Sequence, residues 1–311
     1  MTHFILGEGE TTIMNSAAPF SANAPANAIE AEPRVIVDAQ IHLWLESRPY
    51  RPWVPGRNAQ LPEPFTYERY LAMREGSGVD RAIIVPPSIE GIRTDYAQEA
   101  VNKHPDVFRI MALIDPTRPD LAAAFPRWRE QTGVLGIRMA CPVEHPEWLL
   151  NGTTDWIWPA AEKAGLPIMF LTTGQLHLFD TIAERHPNLP LIIDHLGVSY
   201  AALQQGLFDQ TIDAAVALAK YPNVSIKLSS LGLFSREVWP WRDLDDTIKR
   251  LFDVYGPERC YWGTDVTASI ARSEATYRQR VTHFTEELGF FSESDLDWIM
   301  GRAILKRLDW Q

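Results

Sequence analysis

"VIVDAQIHLW", residues 35–44, is the stretch that decides the fold, because an apolar run ends here in a series of polar side chains. The β-branched and apolar residues at its start favour a strand. Successive side chains of a strand point to opposite faces, so Asp38, Gln40 and His42 are predicted to share one face. A buried strand that ends in such residues indicates a functional site at its carboxyl end.

The rest of the chain repeats this pattern of short apolar runs separated by amphipathic stretches. Runs without polar alternation are typical of strands that are buried on both faces. The eight strand candidates are residues 34–42, 80–87, 108–115, 135–140, 167–173, 189–197, 223–230 and 260–266. Strands that alternate with helices predict a parallel sheet with right-handed crossovers, and eight such units make a TIM barrel. A doubly wound sheet is the alternative, but no Gly-x-Gly-x-x-Gly turn follows the first strand.

Composition narrows the partners and the compartment. The chain has 311 residues, of which 46% are hydrophobic, and its formal net charge is −11. That charge argues against binding to nucleic acid or to an anionic membrane, and no apolar run approaches the ~18 residues of a membrane span. The two cysteines, Cys141 and Cys260, fit neither a disulfide framework nor a Cys-rich zinc site, so the expected compartment is the cytoplasm.

The first residues differ from the rest in composition. Residues 1–33 are rich in Ala, Asn, Ser and Pro, without a period and without the basic start and apolar centre of a signal peptide. We therefore predict a flexible N-terminal arm over 1–33 and a single barrel over 34–311. An arm that packs on a partner subunit is the alternative.

Chemistry in a TIM barrel lies at the carboxyl ends of the strands. Polar groups at these positions are costly unless they are paired or used. The residues predicted for one shared site are Gln40, His42, Arg138, His195, Lys227 and Asp265. A hydrogen-bonded buried histidine, or a Lys227 that pairs with Asp265, is the structural alternative to a functional role.

The loop after the first strand, "WLESRPYRPWVPGR" (44–57), is long for its position and rich in arginine and aromatic residues. Guanidinium groups suit carboxylates, and aromatic faces suit flat rings. Arg51 and Trp53 are therefore predicted substrate contacts, and the predicted substrate is small, anionic and partly planar. A Pro-stiffened surface loop is the alternative.

The motifs "VDAQIHLW", "GIRMA", "IIDHLG", "VSIKLSS" and "WGTD" together resemble the amidohydrolase-related group of the amidohydrolase superfamily. The resemblance covers residues 34–311 and is greatest to the lactonase-type branch, which includes 2-pyrone-4,6-dicarboxylate lactonase and sugar-lactone hydrolases. It implies that Asp265 is a metal ligand, a general base that activates water, or both. It also implies that His42 and His195 belong to the same site and that Arg138 grips a substrate carboxylate or carbonyl.

This sequence departs from the family pattern at the metal-binding positions. Gln40 replaces the first histidine of strand one, and strand five ends in "LTTG" without a ligand. These departures argue against a two-metal site and leave one divalent ion, most simply zinc, on His42, Asp265 and His195. A neutral amide is a poor zinc ligand beside imidazole, so weak or absent binding is expected. Restoring the histidine in Gln40→His is predicted to give tight zinc binding.

The predicted function is hydrolysis of a small anionic cyclic ester or amide by water that Asp265 activates. His42, His195 or a metal polarises the carbonyl, and Gln40, Arg138 and Lys227 contact the substrate. Non-oxidative decarboxylation of an aromatic or unsaturated acid is one alternative. The others are a subunit of a heteromeric metalloenzyme with a degenerate metal site and a metal-free binding barrel. The only partner that the sequence predicts directly is a small molecule, with a homo-oligomer or a paralogous barrel as further options.

Overall fold

A computed structural model describes residues 34–311 except 142–143, so the predicted arm over 1–33 lies outside the described residues. The described chain contains an eight-stranded parallel sheet whose strands follow one another in sequence order. The strands β1–β8 are Val37–Ile41, Arg81–Ile84, Phe108–Leu113, Val134–Ala140, Ile168–Leu171, Leu191–Ile193, Val224–Leu228 and Cys260–Trp262. Each lies within or almost within one of the eight predicted apolar runs.

The sheet closes on itself between its first and last strands. Ile41 pairs in parallel with Val266, just beyond the end of β8. The amide of His42 donates to the carbonyl of Val266 at 2.6 Å, and the amide of Asp265 donates to the carbonyl of Gln40 at 3.0 Å. The TIM barrel prediction is therefore confirmed, and the closing hydrogen bonds fix the backbone of three predicted site residues.

Helices cover the outside of the barrel. The α-helices α1–α11 are Tyr67–Arg74, Asp95–Lys103, Ile157–Ala164, Phe179–Arg185, Tyr200–Gln204, Phe208–Leu218, Leu231–Phe234, Asp245–Tyr255, Tyr277–Thr282, Glu293–Asp297 and Ala303–Leu308. Between β3 and β4 a 3₁₀ segment, Pro119–Glu130, takes the place of an α-helix, and it contains Pro126. Proline removes a backbone donor and disfavours a continuous α-helix there. Every helix of the described ranges is too short or too polar to cross a bilayer.

The barrel has an inner hydrophobic cluster that is closed at one end. Inward side chains such as Met111, Met169 and Ile192 pack in this cluster with Leu308 and Trp310 at the end of the chain. The guanidinium groups of residues 81 and 109, at the starts of β2 and β3, lie over the Trp310 ring. The C-terminal segment therefore plugs the amino end of the barrel and leaves the carboxyl end of the strands for a pocket.

Most strands end earlier than the sequence predicts, and two of them, β6 and β8, end just before site residues. Extended structure stops at Ile193 in β6 and at Trp262 in β8. His195 has a φ of 51° and Asp265 a φ of 55°, values that lie in the left-handed region and cannot continue a strand. Both side chains are thus turned out of the sheet at the open end of the barrel.

The prediction that Asp38 shares a face with Gln40 and His42 is wrong. The pairing of β1 with β2 shifts register between Asp38 and Ile41, which breaks the simple alternation of side chains. The Asp38 carboxylate accepts hydrogen bonds from the Thr264 hydroxyl and, at 2.8 Å, from the Tyr277 hydroxyl on α9. Asp38 is a fully buried structural group that ties β1 to the loop after β8, and burial raises its pKa.

Candidate active site

A pocket of about 440 Å³ opens at the carboxyl end of the barrel. His42, Arg138, His195 and Asp265 line it together with Ser230, which the sequence did not single out. The structure thus brings the strand-one, strand-four, strand-six and strand-eight predictions into one cavity. Further polar residues on its wall are Arg57, Asn58, Gln60 and Tyr200.

Asp265 is the acidic centre of the pocket. Its Oδ1 lies 3.1 Å from His42 Nε2 and 3.6 Å from His195 Nε2, while its Oδ2 accepts a hydrogen bond from the Ser230 hydroxyl. Burial alone would raise the pKa of Asp265, but the neighbouring histidines and the Ser230 hydroxyl lower it to about 2. The carboxylate is therefore ionised at neutral pH.

The orientation of His42 is fixed by the main chain. Its Nδ1 lies 2.7 Å from the carbonyl oxygen of Val85, and because a carbonyl only accepts, Nδ1 carries a proton. Nε2 consequently faces Asp265 Oδ1, and this contact is a hydrogen bond only when Nε2 carries a second proton. His42 and Asp265 form a pair that can hold a proton between them at the floor of the pocket.

Gln40 and Lys227 decide the protonation of His195. Lys227 Nζ lies 2.6 Å from Gln40 Oε1, and because an ammonium only donates, the amide oxygen must face it. The amide nitrogen then faces His195 Nε2 at 3.0 Å, so Nε2 accepts and the proton of the neutral ring is on Nδ1. That proton points to the hydroxyls of Ser229 and Ser230, at 2.8 and 2.9 Å. Burial lowers the pKa of His195, in keeping with a neutral ring.

Lys227 is an internal cation rather than a pocket residue. Its side chain is wholly buried and its Nζ lies 2.8 Å from Asp194 Oδ1, while Arg138 Nε donates to Asp194 Oδ2 at 3.2 Å. Burial opposes both charges, but Lys227 and Arg138 keep the pKa of Asp194 below its ordinary value. Neither Lys227 nor Gln40 lines the pocket, so the structure does not support the predicted contact of either residue with substrate. The sequence alternative, pairing with Asp265, is replaced by pairing with Asp194.

Arg51 and Trp53, the predicted substrate contacts of the first loop, lie outside the pocket lining. The guanidinium of Arg51 is buried between Glu90, at 2.8 Å, and Asp95, at 2.7 Å. The indole of Trp53 donates to the carbonyl of Leu45 at 3.0 Å. Both side chains hold the loop in place, as the structural alternative stated. Arg57, from the end of the same loop, is the arginine that reaches the cavity wall.

The donors of the pocket do not assemble the predicted three-residue zinc site. Across 34–141 and 144–311, no group of three or more His, Cys, Asp or Glu side chains is placed to hold a metal ion. The electron pair of His195 Nε2 that would bind a metal accepts the Gln40 amide proton instead. His42 Nε2 and Asp265 Oδ1 remain as candidate ligands 3.1 Å apart, and a catalytic zinc ordinarily has three protein ligands. The metal site on His42, Asp265 and His195 thus stays a prediction that this geometry does not favour.

Sequence reasoning missed Ser230 and the role of Asp194, and it gave no role to Ser229 at the end of the seventh apolar run. "VSIKLSS" was interpreted as one strand to residue 230, but β7 ends at Leu228 and Ser230 adopts a left-handed φ of 62°. No local signal marks a serine for that conformation, which glycine adopts most easily. Asp194 was visible as a strand-end carboxylate, but its partners come from two other strands and are fixed only by barrel closure.

The sequence of this chain is similar to a known protein family and to several characterised proteins. Residues 37–306 match the model of a family described as amidohydrolase. The 4-sulfomuconolactone hydrolase of Rhizobium radiobacter is 27% identical over 257 residues, which cover 80% of this chain and 78% of the relative. The L-fucono-1,5-lactonase of Burkholderia ambifaria is 24% identical over 234 residues, which cover 74% of this chain and 79% of the relative.

Solved structures share the fold. An amidohydrolase from Burkholderia multivorans with bound zinc has a TM-score of 0.74 at 18% identity, covering 88% of this chain and 99% of that one. A probable 2-pyrone-4,6-dicarboxylic acid hydrolase from Acinetobacter baumannii with bound citric acid has a TM-score of 0.69 at 14% identity, with coverage of 88% and 99%. Identities this low show a shared barrel and carry no residue assignments.

Proposed function

Because this chain belongs to the amidohydrolase family, we propose that it is a lactonase-type hydrolase in which Asp265 activates water against a small anionic lactone. The family match confirms the resemblance inferred from the five sequence motifs and makes the chain an enzyme of this family. The two curated relatives described above carry the names of lactone hydrolases, which supports a lactone as the substrate class.

The observation that carries the proposal is the ionised Asp265 carboxylate held against His42 on the floor of the pocket. A general base must lie within hydrogen-bond reach of its water and must be deprotonated at the working pH. Asp265 meets the second condition because its pKa is lowered to about 2. Its Oδ1, 3.1 Å from His42 Nε2, is the oxygen at which a proton can be received and passed on.

The reaction then needs no group beyond water and these side chains. Asp265 Oδ1 takes a proton from water as the water oxygen bonds to the lactone carbonyl carbon. The bond between that carbon and the ring oxygen breaks, and the ring oxygen receives a proton from the His42–Asp265 pair. The product is an open hydroxy acid, and the pair returns to its starting protonation. His42 Nε2–H also serves as a donor to the oxyanion while the carbonyl is tetrahedral.

Arginine supplies the preference for an anionic substrate. Arg138 uses Nε on Asp194, and no hydrogen bond from its Nη atoms to any residue of the described ranges is found. The side chain lines the pocket, so its two terminal nitrogens are available to a carboxylate or sulfonate in a bidentate pair. Arg57 adds a second positive charge at the rim, where only an exposed contact of 3.6 Å joins it to Glu144. Exposed ion pairs of this kind are weak and exchange readily with a ligand.

The proposal is tested by a pH-stat assay on matched lactones that differ only in a carboxylate or sulfonate substituent. We expect the anionic members to be hydrolysed with the higher kcat/KM. Asp265→Asn, which keeps the shape and removes the charge, is expected to lose about 10²–10⁴ in kcat. Turnover of no lactone, together with carbon dioxide release from an aromatic acid, would favour the decarboxylase alternative and overturn the proposal.

A further inference from the structure

Ser230 has a backbone conformation that its residue type disfavours. It lies in the short turn after β7, directly before α7, and its φ of 62° and ψ of 19° lie in the left-handed region. Residues other than glycine, asparagine and aspartate adopt this region rarely, because their Cβ comes too close to the following carbonyl oxygen. A glycine would be unstrained at this turn, so the serine side chain must contribute something that its backbone does not.

Strain of this kind is concentrated around the Asp265 carboxylate. In the described ranges, 34–141 and 144–311, six residues other than glycine have a positive φ. Three of the six are His195, Ser230 and Asp265. Ser230 is hydrogen bonded to both of the others. Ser230 Oγ lies 2.9 Å from His195 Nδ1 and donates to Asp265 Oδ2. Strained residues that cluster in this way are typical of functional sites.

The direction of each hydrogen bond follows from its partners. His195 Nδ1 carries the proton of the ring because Nε2 accepts from Gln40, so the Ser230 oxygen is an acceptor towards His195. An ionised carboxylate only accepts, so the single proton of the Ser230 hydroxyl is directed to Asp265 Oδ2. One oxygen of Asp265 is thereby occupied, and Oδ1 is left facing His42 and the pocket.

We infer that Ser230 is a positioning residue that selects Asp265 Oδ1 as the reactive oxygen, an inference that rests on the proposed role of Asp265 as base. Without the hydroxyl, the carboxylate can rotate about its Cβ–Cγ bond and present either oxygen to either neighbour. Ser229 does not duplicate this function. Its hydroxyl reaches His195 Nδ1 at 2.8 Å, but it makes no hydrogen bond to Asp265.

Two substitutions separate the hydroxyl from the strain. Ser230→Ala and Ser230→Gly both remove the hydrogen bond to Asp265, but only the glycine relieves the left-handed backbone. We expect both variants to lose about 10–100-fold in kcat, as is usual when a group that orients a reacting residue is removed. KM should change little, because the loss is in transition-state stabilisation alone. Ser230→Gly should nevertheless melt at a higher temperature than Ser230→Ala.

Asp309→Gly is the control for replacing a residue of left-handed φ by glycine away from the pocket. Asp309 is the exposed C-cap of α11, and its φ of 54° is also left-handed. The glycine should raise the melting temperature there without changing kcat, since the residue lies at the end of the chain and lines none of the pocket. If both glycine substitutions raise the melting temperature and only the one at position 230 lowers kcat, the loss of kcat comes from the missing hydroxyl.

A crystal structure of Ser230→Gly without substrate decides the inference even if no lactone is turned over. The inference requires the Asp265 carboxylate to rotate, so that the 3.1 Å contact from Oδ1 to His42 Nε2 is lengthened or lost. A carboxylate that keeps its orientation overturns the inference, as does an active Ser230→Gly enzyme with wild-type kcat. A wild type that hydrolyses no lactone overturns the proposed function instead, and the orientation of Asp265 still tests Ser230.

Discussion

Lys227 Nζ lies 2.6 Å from the amide oxygen of Gln40, and through this contact a wholly buried ammonium fixes the proton of His195 on the other side of the amide. The arrangement gives the substitution at position 40 a physical role. Gln40 presents its oxygen to a cation and its nitrogen to an imidazole, so both ends of its amide are engaged by buried side chains. The pocket is thus organised by hydrogen bonds at the place where the family pattern has a metal ligand.

Zinc affinity tests this organisation. In Gln40→His alone, a zinc ion on the new imidazole would lie beside the Lys227 ammonium. Two like unit charges about 4 Å apart repel by about 4 kcal/mol at an effective dielectric of about 20. We therefore expect the double variant Gln40→His/Lys227→Met to bind zinc at least about tenfold more tightly than Gln40→His, measured by titration calorimetry and metal content after dialysis.

Lys227→Met alone is the control for this measurement, since it removes the ammonium without supplying a ligand. Circular dichroism should show that each variant keeps the barrel. If Gln40→His binds zinc as tightly as the double variant, Lys227 has no influence on the site, and the simpler prediction made from the sequence holds.

Arg51 and Arg57 belong to the same loop and should give opposite phenotypes. Arg51→Ala leaves Glu90, which is 5% exposed, without its cation, and breaking a buried pair typically costs about 3–5 kcal/mol of unfolding free energy. Arg57→Ala should leave stability within about 0.5 kcal/mol, as surface substitutions do, and raise KM for anionic lactones. Urea unfolding and steady-state kinetics on both variants check this. An Arg51→Ala protein of normal stability with a raised KM would restore Arg51 as a substrate contact.

Acid stability reports the state of Asp265. Its pKa is lowered from 3.8 to about 2 in the folded protein, so the unfolded chain binds the proton first as the pH falls. The stabilisation is complete above pH 4 and is lost as the pH falls towards 2. It amounts to roughly 2 kcal/mol. Unfolding free energies at pH 5 and pH 2.5 should therefore differ more in the wild type than in Asp265→Asn. If the unfolding free energy changes equally between the two pH values in both proteins, the folded structure does not lower the pKa of Asp265.

The sequence predicted the barrel because its signal is repeated along the chain. Each strand is an apolar run bounded by helix-ending residues, and the rule that barrel chemistry lies at strand ends located His42, His195 and Asp265. The predictions that the structure does not support depended on partners distant in sequence. Arg51 is held by Glu90 and Asp95 from the segment after β2, and no local pattern distinguishes a paired arginine from a free one.

Local backbone geometry accounts for the remaining differences. The register shift in β1 turns Asp38 away from Gln40, and a left-handed turn places the Ser230 hydroxyl against Asp265. Neither event is encoded by residue type, since Asp38 lies in an apolar run and serine is an uncommon choice for a positive φ. At functional sites the local preferences of residue types are often overridden. A sequence pattern therefore shows where a strand ends, but not the direction in which the side chains at that end point.

Hydrolysis in ¹⁸O-labelled water is the most direct measurement of whether Asp265 drives water onto a lactone carbonyl. A single turnover of an anionic lactone by the wild type should place one ¹⁸O atom in the new carboxylate of the hydroxy acid, as read by mass spectrometry. Asp265→Asn should form the same labelled product about 10²–10⁴-fold more slowly. A product without solvent oxygen, or an Asp265→Asn variant that folds and labels its product at the wild-type rate, would contradict the assignment of Asp265 as the base.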